Sequence, residues 1–320
     1  MINIAKGRFW DLPWSLVDGC TPCSPGCDHC WAAAIEHHYR SFKGGWNPDR
    51  LTDIDGKFKG EIRLHPERLS IPLKRRKPTV YAVWNDFFHG VIDHSFRCGA
   101  YNTMMRTDYR HTYLILTKRA DFAAQYAQSF NNIWHGLTVC NQPELEAKIG
   151  DFFQVPGKKF LSLEPLLGPV DLTDFGPNRE SGVHGWSCLW DTPLRSRIDA
   201  VILGGETGPG ARPMHPNWVR SVRDQCAAAG VPFFFKGWGA WVQSEYKTYS
   251  LFNKKMAGDF MTTTCVSSSD RKSVGEINHY PIPADYDGYP AGIAKMERKK
   301  NAGRLLDGRT HDDLPWRTAP

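Results

Sequence analysis

From Thr79 onward, short apolar runs rich in β-branched and aromatic residues alternate with longer amphipathic stretches. A strand covered on both faces needs a continuous apolar run, and its crossover helix needs one apolar stripe, so this alternation is the mark of β/α units around a parallel sheet. Strands are predicted near Thr79–Trp84, Thr112–Leu116, Ile133–Thr138, Phe160–Leu163, Ala200–Gly204 and Pro232–Phe235. Helices fit between them over Phe96–Thr107, Arg119–Gln128, Gln142–Asp151 and Asn217–Ala229, the last closed by Gly230 in the C′ position. A strand at or just before the cysteine-rich segment, then a helix from Trp31 to about Tyr39, opens the series. Polar residues gather directly after the strands: Asn85, Asp86 and His89, then Thr117, Lys118 and Arg119, Asn141, Glu164, Gly205 with Glu206, and Lys236. That carboxyl edge is where β/α barrels and open α/β sheets build their sites. The expected fold is α/β, a partial TIM-like barrel of about six parallel strands over residues 1–244.

Beyond about Glu245 the period is lost. A polar run from Thr262 to Ser273 and a Pro/Tyr/Gly-rich stretch from Tyr280 to Gly292 read as loop-rich structure, so residues 245–320 are expected to form an extension covering part of the barrel mouth. Composition agrees with a globular chain that has a large core: 320 residues, 41% hydrophobic and 23% charged. Forty Lys and Arg against 34 Asp and Glu give a formal net charge of +6, which favours an anionic partner without requiring one. No stretch approaches the roughly 18 apolar residues of a membrane span, and Met1–Trp10 lacks the apolar core of a signal peptide. A cytoplasmic protein with no membrane partner is expected.

In a reducing compartment the nine cysteines are not disulfide material. Four of them crowd into Asp18-Gly-Cys20-Thr-Pro-Cys23-Ser-Pro-Gly-Cys27-Asp-His-Cys30-Trp31, while Cys98, Cys140, Cys188, Cys226 and Cys265 lie singly, so the crowding reads as metal or cluster ligation. Three schemes compete. Cys20-x2-Cys23 and Cys27-x2-Cys30 are acceptable halves of a structural zinc site, although zinc ribbons usually separate their halves by about a dozen residues or more and here the gap is three. A ferredoxin-like cluster would take all four thiolates, yet the bacterial run is x2, x2, x3 followed by Pro, and here the order is x2, x3, x2 followed by Trp31. The third scheme takes Cys23-x3-Cys27-x2-Cys30, with His29 before the last cysteine, which is the spacing of the radical S-adenosylmethionine (SAM) motif. Three thiolates on a [4Fe-4S] cluster leave one iron open to the amino and carboxylate groups of SAM, whose reductive cleavage yields a 5′-deoxyadenosyl radical. The compact motif in front of a run of β/α units favours this scheme, and Cys27 and Cys30 are ligands under all three.

The chain resembles the phage- and bacteria-encoded proteins catalogued as a phage domain of unknown function and also described as three-cysteine-motif radical-SAM-like proteins. The resemblance rests on Gly19-Cys20-Thr-Pro-Cys-Ser-Pro-Gly-Cys27-Asp-His-Cys30-Trp-Ala, Phe160-Leu-Ser-Leu-Glu164-Pro-Leu-Leu-Gly168-Pro, Gly204-Gly-Glu-Thr-Gly-Pro-Gly-Ala-Arg212-Pro-Met-His215, Val231-Pro-Phe-Phe-Phe-Lys236-Gly-Trp-Gly239 and Gly303-Arg-Leu-Leu-Asp-Gly-Arg309-Thr. These segments span nearly the whole chain. The usual member has its first cysteine at the position of Cys20 and a small apolar residue at that of Cys23, so the trio is Cys20, Cys27 and Cys30 by resemblance or Cys23, Cys27 and Cys30 by general spacing; the x3-x2 loop favours Cys23. The resemblance implies a barrel of the radical SAM type, SAM and a [4Fe-4S] cluster as cofactors, an external electron donor such as flavodoxin or ferredoxin, and hydrogen abstraction from a substrate carbon. Phage occurrence and basic charge point to a nucleic acid or modified nucleoside as substrate, a base either rearranged during thymidine hypermodification or repaired in the manner of spore photoproduct lyase. The cytoplasm would be that of the host if the chain is phage-encoded.

Gly204, Gly205 and Glu206 are similar to the Gly-Gly-Glu element that binds the SAM amino group in radical SAM proteins, though here it follows a late strand. Glu164 ends an otherwise apolar strand, where a carboxylate is costly without a partner, and is expected to bind the SAM ribose or the substrate. Lys236 is the same case with opposite charge, and the two are each other's alternative partners. Asn85, Thr117 and Lys118 are further candidates for holding SAM; Asp86, His89, Arg212, His215 and Lys236 are candidates for the substrate, with Arg212 suited to a carboxylate or phosphate.

Overall fold

The chain opens with two short strands, β1 (Leu12–Pro13) and β2 (Val17–Asp18), followed by helix α1 (Trp31–Ser41), strand β3 (Arg63–Leu64) and the single turn α2 (Ile71–Lys74). Strand and helix then alternate through β4 (Thr79–Val83), α3 (His94–Met105), β5 (His111–Thr117), α4 (Ala120–Tyr126), β6 (Ile133–Thr138), α5 (Gln142–Gln154), β7 (Lys158–Leu163), β8 (Ala200–Gly204), α6 (Pro216–Ala229) and β9 (Phe233–Gly237). This computed structural model describes residues 4–41, 50–173, 187–189, 197–243 apart from 209 and 213, the strand segments 255–257, 260–266, 273–279 and 294–296, and residues 303–317.

Seven strands form one curled parallel sheet in the order β1-β4-β5-β6-β7-β8-β9, a half-barrel. Successive strands lie side by side because each crossover helix returns the chain to the next position on the same side. The count exceeds the expected six by β1, which pairs Leu12 with Tyr81 and Pro13 with Ala82. It lies in the stretch just before the cysteine-rich segment, where an opening strand was predicted, but two residues are too few to carry a period and the hydrophobic pattern does not give its bounds.

The two faces of the sheet divide the strands residue by residue. Tyr81, Tyr113, Leu137, Leu161, Val201 and Phe235 point to the helices and pack with Ala100, Ala123, Ile149 and Val222. Leu114, Trp134, Phe160, Ile202 and Phe234 point to the helix-free face, which is filled by Phe9 from the N-terminal segment and by Leu314 and Trp316 from the C-terminal one. Residues 303–317 thus run along β9, with Phe234 bridged to Asp312 and the Phe235 amide bonded to the His311 carbonyl, and plug the half-barrel as well as any mouth they cover. Within the tail, three antiparallel strands, β11 (Lys255–Ala257), β12 (Phe260–Val266) and β13 (Ser273–His279), replace the loops expected from its polar run, while β10 (Trp241–Gln243) pairs with β14 (Ala294–Met296). The threonine run of β12 reads as polar, yet β-branched threonine is among the better strand formers. Among the described residues no helix is long and apolar enough to cross a membrane.

Candidate functional site

The cysteine segment lies across the carboxyl edge of the sheet. Ser24 caps the single 3-10 turn Pro25–Cys27 by accepting from the Gly26 amide, and α1 starts immediately after Cys30. Gly26 presses so closely on Cys140, beyond β6, that any side chain there would overlap its Sγ; a Cβ there would also lie 3.2 Å from Pro165, which is joined to Glu164 by a cis peptide bond.

Two arginines tie the segment down, each backed by a buried carboxylate. After β5, Arg119 donates to Asp86 at 2.6 Å, to the Thr21 carbonyl at 2.8 Å and to Cys23 Sγ at 3.4 Å. After β8, Arg212 grips Glu206 through its side chain at 2.6 and 2.9 Å and its amide at 2.8 Å, and also donates to the Pro25 carbonyl at 2.8 Å and Asp28 at 3.3 Å. Asn85 and Asp86 both adopt positive φ, a conformation that Asn and Asp tolerate best among residues with side chains. The sharp turn lets Asn85 donate to the Val17 carbonyl at 2.9 Å, while Asp86 accepts from Thr117 at 2.6 Å. His89 meets Thr21 at 2.9 Å.

The four thiols share one electrostatic neighbourhood. A hydrogen bond from Cys23 lowers the Cys27 pKa to about 6, and the same contact, with burial, raises Cys23. Burial, then Asp86, pushes Cys20 up to about 12; it packs with Cys30 against Ala33, Leu51 and Phe58. Lys118 faces this group with no carboxylate ion pair among the described residues. Burial opposes its charge, but Cys140, Cys27, Cys30 and Cys23 outweigh it and hold its pKa above the ordinary lysine value. The donor set therefore fits a thiolate-bound cluster in chemistry, with soft sulfur ligands in one loop and a cation beside them for an anionic centre. Among the described residues no three His, Cys, Asp or Glu side chains stand close enough together to hold a single metal ion, so the loop must draw its thiols inward to ligate one.

At the same edge a cavity of about 580 Å³ is lined by Glu164, Gly204, Gly205, Thr207, Lys236 and Arg304 among others. Glu164 at the end of β7 and Lys236 on β9 form an ion pair over the intervening β8, because Gly204 between them has no side chain: a Cβ there would lie 3.4 Å from the Glu164 carboxyl carbon and 3.3 Å from Lys236 Cβ. Arg304 is spent on the carbonyls of Ile4 and Phe235 and on Asp312.

Of the residues singled out in the sequence, Lys118 faces the thiols, and the others, apart from the cysteines, fall into three groups. Glu164, Gly204, Gly205 and Lys236 line the cavity. Asn85, Asp86, His89, Thr117, Glu206 and Arg212 are held in contacts that fasten the cysteine loop, so the Glu206 carboxylate, expected to meet an amino group, is occupied by Arg212. His215 accepts from the Asn217 amide and caps α6. Arg119 was legible as a residue following a strand but not as a clamp. Cys140 lies too far along the chain from the other cysteines to be grouped with them by spacing.

No curated protein and no solved structure matches the chain. A family model described as "Protein of unknown function (DUF5131)" matches residues 5–315, nearly the full length, and the chain therefore belongs to that family.

Proposed function

We propose that this protein is a radical SAM enzyme whose half-barrel is of the radical SAM type, acting on a carbon of a nucleic-acid base or modified nucleoside. The observation that supports this reading best is the cysteine loop across the carboxyl edge of a parallel half-barrel, with Lys118, which has no carboxylate partner among the described residues, beside its thiols. A [4Fe-4S] cluster and SAM, with an electron from a donor such as flavodoxin or ferredoxin, would supply a 5′-deoxyadenosyl radical. Cys23, Cys27 and Cys30 are the proposed ligands, with Cys20 the alternative to Cys23. Lys118 offsets their negative charge. Arg119 and Arg212 fix both ends of the loop, so the thiols stay in register with the sheet edge. Gly204 and Gly205 keep the cavity floor free of side chains, and the Glu164–Lys236 pair supplies one acceptor and one donor for a polar ligand at its wall.

Anaerobic purification with iron and sulfide analysis tests this: about four irons per chain and release of 5′-deoxyadenosine on reduction with SAM are expected. Colourless protein with one zinc would instead make the loop a structural site in a nucleic-acid-binding protein. Cys27→Ala and Cys30→Ala should each abolish the cluster, and only one of Cys20→Ala and Cys23→Ala should do so. Loss with both would mean four-cysteine ligation and no iron open to SAM.

A further inference from the structure

A line of tryptophans leaves the cysteine loop towards the N-terminal segment. Trp31, the residue after Cys30 and the first of α1, is 52% exposed, and its ring meets Trp84 edge-on with 5.9 Å between centroids. Trp84 follows β4 and meets Trp10 in the same way at 5.6 Å. The guanidinium of Arg8 lies 4.8 Å from the centre of the Trp10 ring. Trp10 and Trp84 are half-buried and Arg8 is exposed.

Trp10 and Trp84 pack against the helix-free core, Trp84 meeting Phe9 edge-on at 6.3 Å, so packing accounts for these two but not for the exposure of Trp31. A tryptophan kept for the core turns its ring inward, as Trp14 and Trp316 do, whereas Trp31 gives half of its surface to water. Arg8 forms no ion pair among the described residues, and its near neighbour Asp11 is taken by the Val80 amide at 2.8 Å and by Arg317 at 3.9 Å. A half-exposed indole at the head of a tryptophan row, with a guanidinium that has no ion pair among the described residues at its other end, matches what a single nucleic-acid strand presents, since every base has a π face and every linkage a negative charge. A duplex hides its base faces, and an apolar peptide would leave the arginine unanswered.

We propose that Trp31, Trp84 and Trp10, together with Arg8, form a stacking platform for unpaired bases of a single strand, beside the cysteine loop. This rests on the substrate class of the reading above and not on its radical chemistry.

The test is fluorescence anisotropy of the full-length protein with a labelled oligothymidylate of about ten nucleotides, at low and high salt. Trp31→Ala, a change at an exposed position, should weaken binding about ten-fold, and Trp31→Phe should retain most of it. Arg8→Ala should weaken binding and lower the slope of log affinity against log salt by about one. Tyr109→Ala, an exposed aromatic elsewhere, should leave affinity unchanged. Equal affinity of wild type and Trp31→Ala, no binding at low salt, or affinity independent of salt would overturn the platform. Iron content and 5′-deoxyadenosine release, measured on the same wild-type preparation, separate the two ideas. Failure to bind oligothymidylate with release intact removes the platform alone, and binding by protein without iron removes the radical reading alone.

Discussion

Replacing Arg212 by Met tests how the cysteine loop is held. The substitution removes a cation whose side chain is 11% exposed from a carboxylate, Glu206, that is 4% exposed. Three donors converge on that carboxylate in the wild type, and only the residue-212 amide, at 2.8 Å, survives the change. Breaking a buried pair from one side costs about 3–5 kcal/mol, and the surviving charge-assisted bond keeps the loss near the lower end, about 3 kcal/mol. Arg212→Met/Glu206→Met removes both charges and should return to within about 1 kcal/mol of wild type, since apolar replacement of a whole buried pair is often neutral. The double variant should therefore be about 2 kcal/mol more stable than Arg212→Met alone in urea unfolding followed by tryptophan fluorescence. Single and double variants alike lose the bond to the Pro25 carbonyl, so both should react faster than wild type with a thiol-specific disulfide reagent. A double variant as unstable as the single one would refute the desolvation argument. Unchanged thiol reactivity in both would show that Arg212 does not secure the loop.

Acid stability should depend on His135. Burial holds its pKa at about 4, against 6.5 for the free side chain, so the folded state keeps it neutral while the unfolded chain takes up a proton as pH falls below 6.5. The stability this group supports is present above pH 6.5 and is lost on the way down to about 4, by about 3 kcal/mol in all; His135→Gln should flatten that part of the urea midpoint against pH, and an unchanged profile would exclude the assignment. Two glycines should respond in opposite directions. Gly205→Ala drives a methyl into the Trp238 carbonyl and should destabilise by about 2 kcal/mol or more, whereas Gly150→Ala, in open space on α5, should stabilise by about 0.5–1 kcal/mol in the same unfolding assay.

Local pattern was enough for the central β/α series because each of those strands is apolar on both faces and each helix shows one buried stripe. The strands read over Ile133–Thr138 and Ala200–Gly204 coincide with β6 and β8 residue for residue, and the helix closed by Gly230 ends there in a left-handed turn. The clustering of four cysteines within eleven residues was legible too, since it is a matter of spacing alone. Pairings between distant segments were not legible. A strand at or just before the cysteine segment was expected, but nothing local fixes Leu12–Pro13 as its bounds, because its backbone bonds are supplied by a strand more than sixty residues away. The return of Leu314 and Trp316 to the half-barrel is likewise decided by a cavity that exists only once the sheet has curled. Glu206 shows the same division at the site: its sequence context led to the expectation of a ligand-binding carboxylate, and only the folded chain shows it held by Arg212, which also donates to the Pro25 carbonyl. The sequence by itself determined which residues carry charge and sulfur and which segments of the central series are strand or helix, because those depend on side-chain chemistry and short periods. The tertiary structure decided which charges are already spent on one another and which, like Lys118, are left facing the thiols, because that depends on contacts whose partners lie far apart in the chain.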